Sequence, residues 1–498
     1  MTLEVKEERV AIDWWALSAA CQQELVVKFM AVAVDYAYAF AFYSLPILGH
    51  DKEVSMRRSM PVFFFSAGDL QTATASEWRR FGRNQEAFVF SPFLLKEQKG
   101  REFYDFPFQF LKPSVSWDSH RGLLRLYPNS DSQLDKDKTL FVMLRAIIEK
   151  TVALHSAGIS GGTQMQSPTS LHDVNEHLDR EDRDQSEPDR SKHALTSFKP
   201  SNPLKDLYIA DLPPTSRFSS EKRFCAGVST IVKEIGINKL KKVVLSRAEY
   251  SEFTQDMEIA TVIARVFIET LRLPQHIETM VALFSSPSAG TWFTVSPELL
   301  VSQTQDIFRT VSLAGTQLCQ QSNYAKPDLA GVLWSDKDIQ EQVMVSRYIV
   351  DCFKILRLRS YEETGPETVQ RGNLLHLETK FTVDTKKIYG NELVLDMLTL
   401  LHPTSAVAGD PFDRALNLLR VLEPHDRGYY SGFLGPLHLQ GETVIYVNLR
   451  CAELMRTGII AYAGTGIVKQ SVPHLEWKES TYKLHVIKNL FKHALKTI

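Results

Sequence analysis

Two pairs of acids, each spaced by three residues, carry the most chemistry in this sequence. Glu476 and Glu479 lie in EWKES, and Asp338 and Glu341 lie in KDIQEQ. Residues at i and i+3 share a helix face, so each pair projects its carboxylates in one direction. Lys483, seven residues after Glu476, adds an ammonium to the second face. Read as having no lysine partner, the four acids would repel one another once brought together, and a dication resolves that conflict. A donor set made only of oxygens suits Mg2+, which binds through few carboxylates and keeps waters. Mg2+ is therefore the expected cofactor.

A base and an acid are also present. KVVLSR reads as a strand, and a period of two puts Lys242, Val244 and Ser246 on one face, with Val243, Leu245 and Arg247 on the other. A lysine at the mouth of an apolar strand can be desolvated, which lowers its pKa and makes it a usable base. Lys241 stands in the adjacent register and is set aside. Glu298, in TWFTVSPELL, follows Pro297 and is flanked by Phe293, Leu299 and Leu300. Such apolar surroundings raise a carboxyl pKa and favour a general acid. Taken alone, either residue would read as an ordinary surface charge. Ligand carboxylates would be met by Arg450, at the end of the expected strand VIYVNLR, through a bidentate grip. Lys483, Tyr430 and the backbone amides of Gly464 and of the turn Ala314-Gly315-Thr316 would complete that cradle.

The elements that must position these groups are legible in outline. Phe412, Ala415, Leu416, Leu418, Leu419 and Leu422 recur at helical spacing behind Asp410 and Pro411. Val444 to Arg450 and Gly458 to Gly464 are β-rich, the second bounded by Gly464-Thr465-Gly466. Helices are expected from Ser219 to Ile235, Met257 to Leu273, Asp338 to Leu358 and Leu393 to Leu401. Residues 1–155 form an N-terminal part that alternates β-rich runs with helical pieces. Residues 156–200 hold almost no core-forming side chains and read as a flexible insertion. Residues 201–498 form the region that carries the chemistry.

Composition narrows the class. The chain has 498 residues, 44% hydrophobic and 23% charged, and is long enough for a large core. A formal charge of −2 offers no electrostatic footprint for nucleic acid or an acidic membrane. Five scattered cysteines lack metal-ligand spacing and read as reduced thiols. The acidic start MTLEVKEERV does not read as a secretory or transit segment. Phe29–Leu48 is interrupted by Asp35 and Pro46, short of the ~20 apolar residues a spanning helix needs. The expectation is a soluble cytoplasmic protein, a monomer or weak dimer, with a small-molecule substrate and neither nucleic acid nor membrane as partner.

The ordered blocks KVVLSR, KDIQEQ, LHPTSAVAG, EPHDRGYYSGFLG, VIYVNLR, YAGTGIV and HLEWKESTYK resemble the C-terminal half of the chorismate-utilising enzymes. That family includes isochorismate, salicylate, anthranilate and aminodeoxychorismate synthases. The resemblance covers residues 205–495, with a weaker echo before residue 115. It implies a single α+β fold of two big antiparallel β-sheets packed together and wrapped by helices, with chorismate as substrate. It further implies that Lys242 activates water, a position usually glutamine in the ammonia-using members. Glu298 would protonate the departing hydroxyl. Glu341 and Glu479 would bind Mg2+ directly, Asp338 and Glu476 through water. His376 in LLHLET would line the ring pocket, and Gly315, Thr316, Tyr430, Gly464, Arg450 and Lys483 would hold the substrate.

Three departures refine this. Gln342 follows Glu341 where the family often has histidine, which touches the metal surroundings rather than the ligand. Ser405 replaces a usual proline. Ala406 stands where lyase-type members tend to carry threonine. The resemblance therefore points to an isochorismate synthase, a reversible hydroxyl transposition. A salicylate synthase, or a non-catalytic relative that only binds chorismate, are the alternatives.

Overall fold

Along Tyr38–Ser44 every residue is buried, so both faces of that strand are covered. Phe40 and Phe42 point into one core, and Ala39, Ala41 and Tyr43 into another. The same alternation recurs at Ala87–Ser91, where Phe88 and Phe90 join the second of these cores while Ala87 and Val89 join a third. Side chains that alternate between two apolar layers require two stacked sheets with helices outside. That is the architecture of the computed structural model. It describes residues 6–10, 14–35, 38–45, 61–67, 71–74, 86–91, 107–119, 123–127, 131–156, 207–209, 212–237, 240–253, 259–274, 279–319, 329, 331–371, 374–386, 393–439 and 441–496.

Among the described residues the first sheet has 11 strands. From edge to edge they are Lys6–Arg9, Leu123–Leu126, Val115–Asp118, Val62–Ala67, Tyr38–Ser44, Met280–Ser286, Gly290–Ser296, Cys451–Met455, Gly458–Ile467, Lys242–Glu252 and Gly409–Asp410. The second has 9: Glu362–Arg371, Leu374–Asp384, Ile307–Leu318, Leu299–Thr304, Glu442–Val447, Phe433–Leu437, Ala87–Ser91, Pro107–Leu111 and Gln71–Thr74. All neighbours pair antiparallel. Both sheets are shared by the two ends of the chain. Phe42 stands opposite Leu283 in the first, and Val89 opposite Gly435 in the second.

Helices Ala19–Asp35, Asp131–Ser156, Ile259–Arg272 and Pro473–Lys496 cover the outer face of the first sheet. Helices Glu221–Ile237, Asp336–Ile355, Leu393–Leu401 and Phe412–Leu422 enclose the third core, with the outer face of the second sheet and the Val243, Leu245 and Ile467 side chains. The fold is thus the expected α+β arrangement of two large antiparallel sheets wrapped by helices. No helix among the described residues is long and apolar enough to cross a membrane. The expected insertion at 156–200 lies, apart from Ser156, outside the described residues.

Two expectations about strands need correction. Gly464-Thr465-Gly466 does not end its strand. The strand runs to Ile467, because Gly464 and Gly466 pair with Ser246 and Val244 and leave room for the neighbours described below. Arg450 does not end a strand either. The strand stops at Val447, and Asn448, Leu449 and Arg450 carry the chain from the second sheet to the first, with Arg450 at φ +49°. That left-handed turn opens the short strand Cys451–Met455.

Candidate active site

The two sheets part company at two adjacent crossovers, and the candidate site lies there. Pro297 and Glu298 lead from the first sheet to the second, and residues 448–450 lead back. The crossovers are laced together: Val447 N donates to Glu298 O at 2.9 Å, and Val295 N donates to Arg450 O at 3.1 Å. Ser296 Oγ donates to Val447 O at 2.5 Å, fixing the bend just before Glu298. A cavity opens beside them, lined among others by Glu298, Glu341, His376, Tyr430, Arg450 and Lys483. Gly315, Thr316, Ala406 and Gly464 also line it.

Glu298 is 7% exposed. Burial pushes its carboxyl up to about 7, against the opposing charges of Lys242, Arg450 and Lys483. It is therefore about half protonated at neutrality, where a free carboxyl would be ionised. Lys242 is wholly buried, and its Nζ lies 2.7 Å from Glu341 Oε1, off hydrogen-bonding geometry. Lys241, by contrast, is exposed and paired with Asp410. The strand period explains the difference: Lys242 and Val244 face the site while Val243 and Leu245 enter the core. Gly466 makes the Lys242–Glu341 contact possible. A Cβ there would meet Glu341 Oε1 at 2.5 Å and Lys242 Cε at 2.8 Å. A Cβ on Gly464 would meet Tyr430 Oη at 2.9 Å.

The acids are not free of lysines, contrary to the expectation from their spacing. Lys483 Nζ donates to Glu479 Oε1 at 2.7 Å and to Gly464 O at 3.1 Å. Lys337 Nζ lies 2.8 Å from Glu476 Oε1 and 3.5 Å from Glu479 Oε2. Burial works against ionisation of Glu479, and Lys483 and Lys337 overcome it, holding the carboxyl at about 2. Burial and the nearby Glu479 push Glu476 up, opposed by Lys337. Asp338 is not with them. Its carboxylate accepts from Ser335 Oγ at 2.6 Å and closes a capping box at the start of the Asp336–Ile355 helix. The Ser335-x-x-Asp338 spacing was the local signal for that role.

No three His, Cys, Asp or Glu side chains converge as a ligand set among the described residues. The donor chemistry nevertheless fits a hard dication. Glu476 and Glu479 present only carboxylate oxygens to one ammonium, Lys337, whose charge Glu341 reinforces as well. Glu476 Oε2 is buried without a hydrogen-bond partner.

The cradle residues divide into two kinds. Arg450 brings a half-buried guanidinium to the cavity, where desolvation lowers its pKa and Tyr430, Glu298 and Glu479 support its charge. Tyr430 stacks on Tyr462 at 5.6 Å, and burial pushes its phenol up to about 12. His376 Nδ1 donates to Gly315 O at 2.7 Å, so its buried, unpartnered Nε2 is an acceptor at the cavity wall. Burial, with Arg450, brings that imidazole down to about 3, so it stays neutral.

Two arginines that sequence reasoning left unassigned hold the frame. Arg427 donates to Val407 O and Val244 O, both at 2.7 Å, and pairs with Glu423. Arg247 lies on the face of its strand opposite Lys242. It donates to Ser480 Oγ, Thr481 Oγ1 and Glu249, with its guanidinium 3.8 Å over Trp477. It thereby grips the helix that carries Glu476, Glu479 and Lys483.

The crossovers of this two-sheet fold bring together a buried lysine, a glutamate whose pKa is raised and cationic side chains able to hold carboxylates. Residues 167–492 match the family model described as chorismate binding enzyme, and the chain belongs to that family. It is 32% identical over 259 residues to the isochorismate synthase EntC of Escherichia coli strain K12, covering 51% of this chain and 63% of that protein. The match thus spans less than two thirds of that relative's length. It is 29% identical over 314 residues to a vibriobactin-specific isochorismate synthase of Vibrio cholerae, covering 59% of this chain and 77% of that one. The solved structure of MenF, the menaquinone-specific isochorismate synthase from Escherichia coli, superposes with a TM-score of 0.62 at 18% identity. It covers 98% of this chain and 95% of that one, and shows the shared fold.

Proposed function

We propose that this protein is an isochorismate synthase that converts chorismate reversibly to isochorismate with Mg2+. The observation that carries the reading is Glu298, a carboxyl that burial keeps partly protonated at neutrality and that faces the cavity Lys242 approaches through Glu341. In this reaction Lys242 accepts a proton from a water as its oxygen bonds to C2 of the ring. The ring double bonds shift, the C4–O bond breaks, and Glu298 passes its proton to the departing hydroxyl, which leaves as water. Arg450 holds one substrate carboxylate, and His376 Nε2 accepts from a substrate hydroxyl. Glu341 and Glu479 would hold Mg2+, with Glu476 beside them. The bound ion would neutralise and orient a ring carboxylate. A cation on Glu341 would also compete with Lys242 for the same oxygen. Ala406, small and at the lining, supports release of isochorismate over further pyruvate loss.

Incubating the purified protein with chorismate and MgCl2 and resolving the products by chromatography tests this. Isochorismate should accumulate, and Lys242→Ala should abolish it while leaving chorismate binding. Salicylate with pyruvate would assign the lyase reaction instead. Full turnover in excess EDTA would remove the metal from the reading.

A further inference from the structure

Three glutamates and three lysines pair beside the cavity, of which Glu341 and Lys483 line it. Lys242 sits on Glu341 and Lys483 on Glu479, each at 2.7 Å, and Lys337 on Glu476 at 2.8 Å. Lys337 differs from the other two. Its ammonium is shared, reaching Glu479 Oε2 at 3.5 Å as well, so it spans the i, i+3 pair of the facing helix. Lys483 lines the cavity and Lys242 shares the lining Glu341, whereas Lys337 is not among the lining residues. It belongs to the acids alone.

The partners are also unequal in what they can do without each other. Lys337 is 22% exposed, in the first turn of its helix, and its four-carbon stem can carry the ammonium into water. Glu476 is 2% exposed, and its second oxygen is already buried without a partner. Once Lys337 leaves, buried Glu476 keeps only the Ser471 hydroxyl, and balancing its charge calls for another cation.

We propose that Lys337 is a built-in stand-in for the divalent cation, occupying the Glu476 side of the Glu341–Glu479 metal site until metal displaces it, and so setting how tightly the site binds metal. This rests on the reading of these acids as the metal site. The charge balance supports it. Glu476 and Glu479 are already balanced by Lys337 and Lys483, so a dication entering with both lysines in place would add two uncompensated charges to a largely desolvated position. Release of Lys337 is the cheapest remedy, because it alone has a path to solvent that costs the cavity nothing.

The test uses the whole chain without substrate. Mn2+ binding, followed by the electron paramagnetic resonance of the free ion, is compared in the wild type, Lys337→Met and Lys337→Arg. Lys337→Met should bind Mn2+ about tenfold more tightly or better, the worth of a charge-assisted hydrogen bond that no longer has to be broken. Lys337→Arg keeps the charge and should bind no more tightly than the wild type. Thermal melting gives the second readout. Without metal, Lys337→Met should melt below the wild type, and Mn2+ should raise its melting temperature by more than it raises that of the wild type. Equal or weaker Mn2+ binding by a folded Lys337→Met overturns the proposal. If no form binds Mn2+ at all, the metal reading fails and takes the proposal with it. That outcome is distinct from a wild type that binds and a variant that gains nothing.

Discussion

Replacing Glu298 with glutamine should make this protein both inactive and more stable, and the two effects should share one cause. The rise of the Glu298 carboxyl from 4.5 to about 7 is driven by burial. At about 1.4 kcal/mol per tenfold change in proton affinity, it corresponds to roughly 3 kcal/mol. Folded Glu298 keeps its proton to a higher pH than unfolded Glu298 does. Its contribution to stability is therefore complete below pH 4.5 and is lost as the pH climbs through about 7. Glutamine does not titrate and loses nothing. The stability gap between variant and wild type should widen by about 3 kcal/mol between pH 4 and pH 8. Unfolding entropy of about 2.1 cal/mol/K per residue makes that an opening of roughly 3 °C in melting temperature for a chain of this length. Glu453, which burial also pushes up to about 7, titrates in both proteins and cancels in the difference. Turnover should fall by about 10²–10⁴-fold in the variant, the usual worth of a general acid. In the wild type, kcat/KM should fall about tenfold per pH unit above pH 7 as the acid loses its proton. Calorimetry and a chorismate assay across that range decide the matter. A melting gap that does not change with pH, or a variant within tenfold of wild-type turnover, would refute the buried-acid reasoning.

Two further outcomes follow from the frame around the site. Gly466→Ala should fold, since its strand neighbours are unaffected, but the new methyl expels Glu341 from Lys242. Divalent-ion binding should weaken by about tenfold or more, with turnover falling alongside. Arg247→Met should keep the fold and lose the grip on Ser480, Thr481 and Trp477. Turnover and apparent Mg2+ affinity should both drop with KM for chorismate less affected, and Arg247→Lys should restore little, since an ammonium cannot serve three directions and stack at once.

Much of this was readable from the chain, for reasons that differ residue by residue. The strand period placed Lys242 inward and Lys241 outward, and apolar neighbours marked Glu298 for burial. The i, i+3 acid pairs gave helix faces correctly but not what faced them. Lys337 is 139 residues from Glu476, and no local pattern reports so distant a partner. Asp338 carried two compatible readings, a metal-side acid and the second half of a capping box, and the local hydrogen bonds took it. Arg450 was assigned to a strand because its neighbours are β-rich. The chain leaves one sheet for the other at that point, and a crossover between sheets has no periodicity to detect.

The floor of the cavity has one more consequence, for how such a protein can change. At Gly464 and Gly466 the strand presents bare backbone, and any side chain there strikes Tyr430 or Glu341. In a saturation library these two positions would be silent, tolerating no useful variant. Heritable tuning of substrate preference must come from the rest of the lining, such as Leu313 and Thr316 on the strand Ile307–Leu318 and Ala406, which lies far from them in the chain. Shape on that side can drift one residue at a time while the reacting groups stay fixed. A designer wishing to retarget the site should randomise there and leave the glycine strand alone.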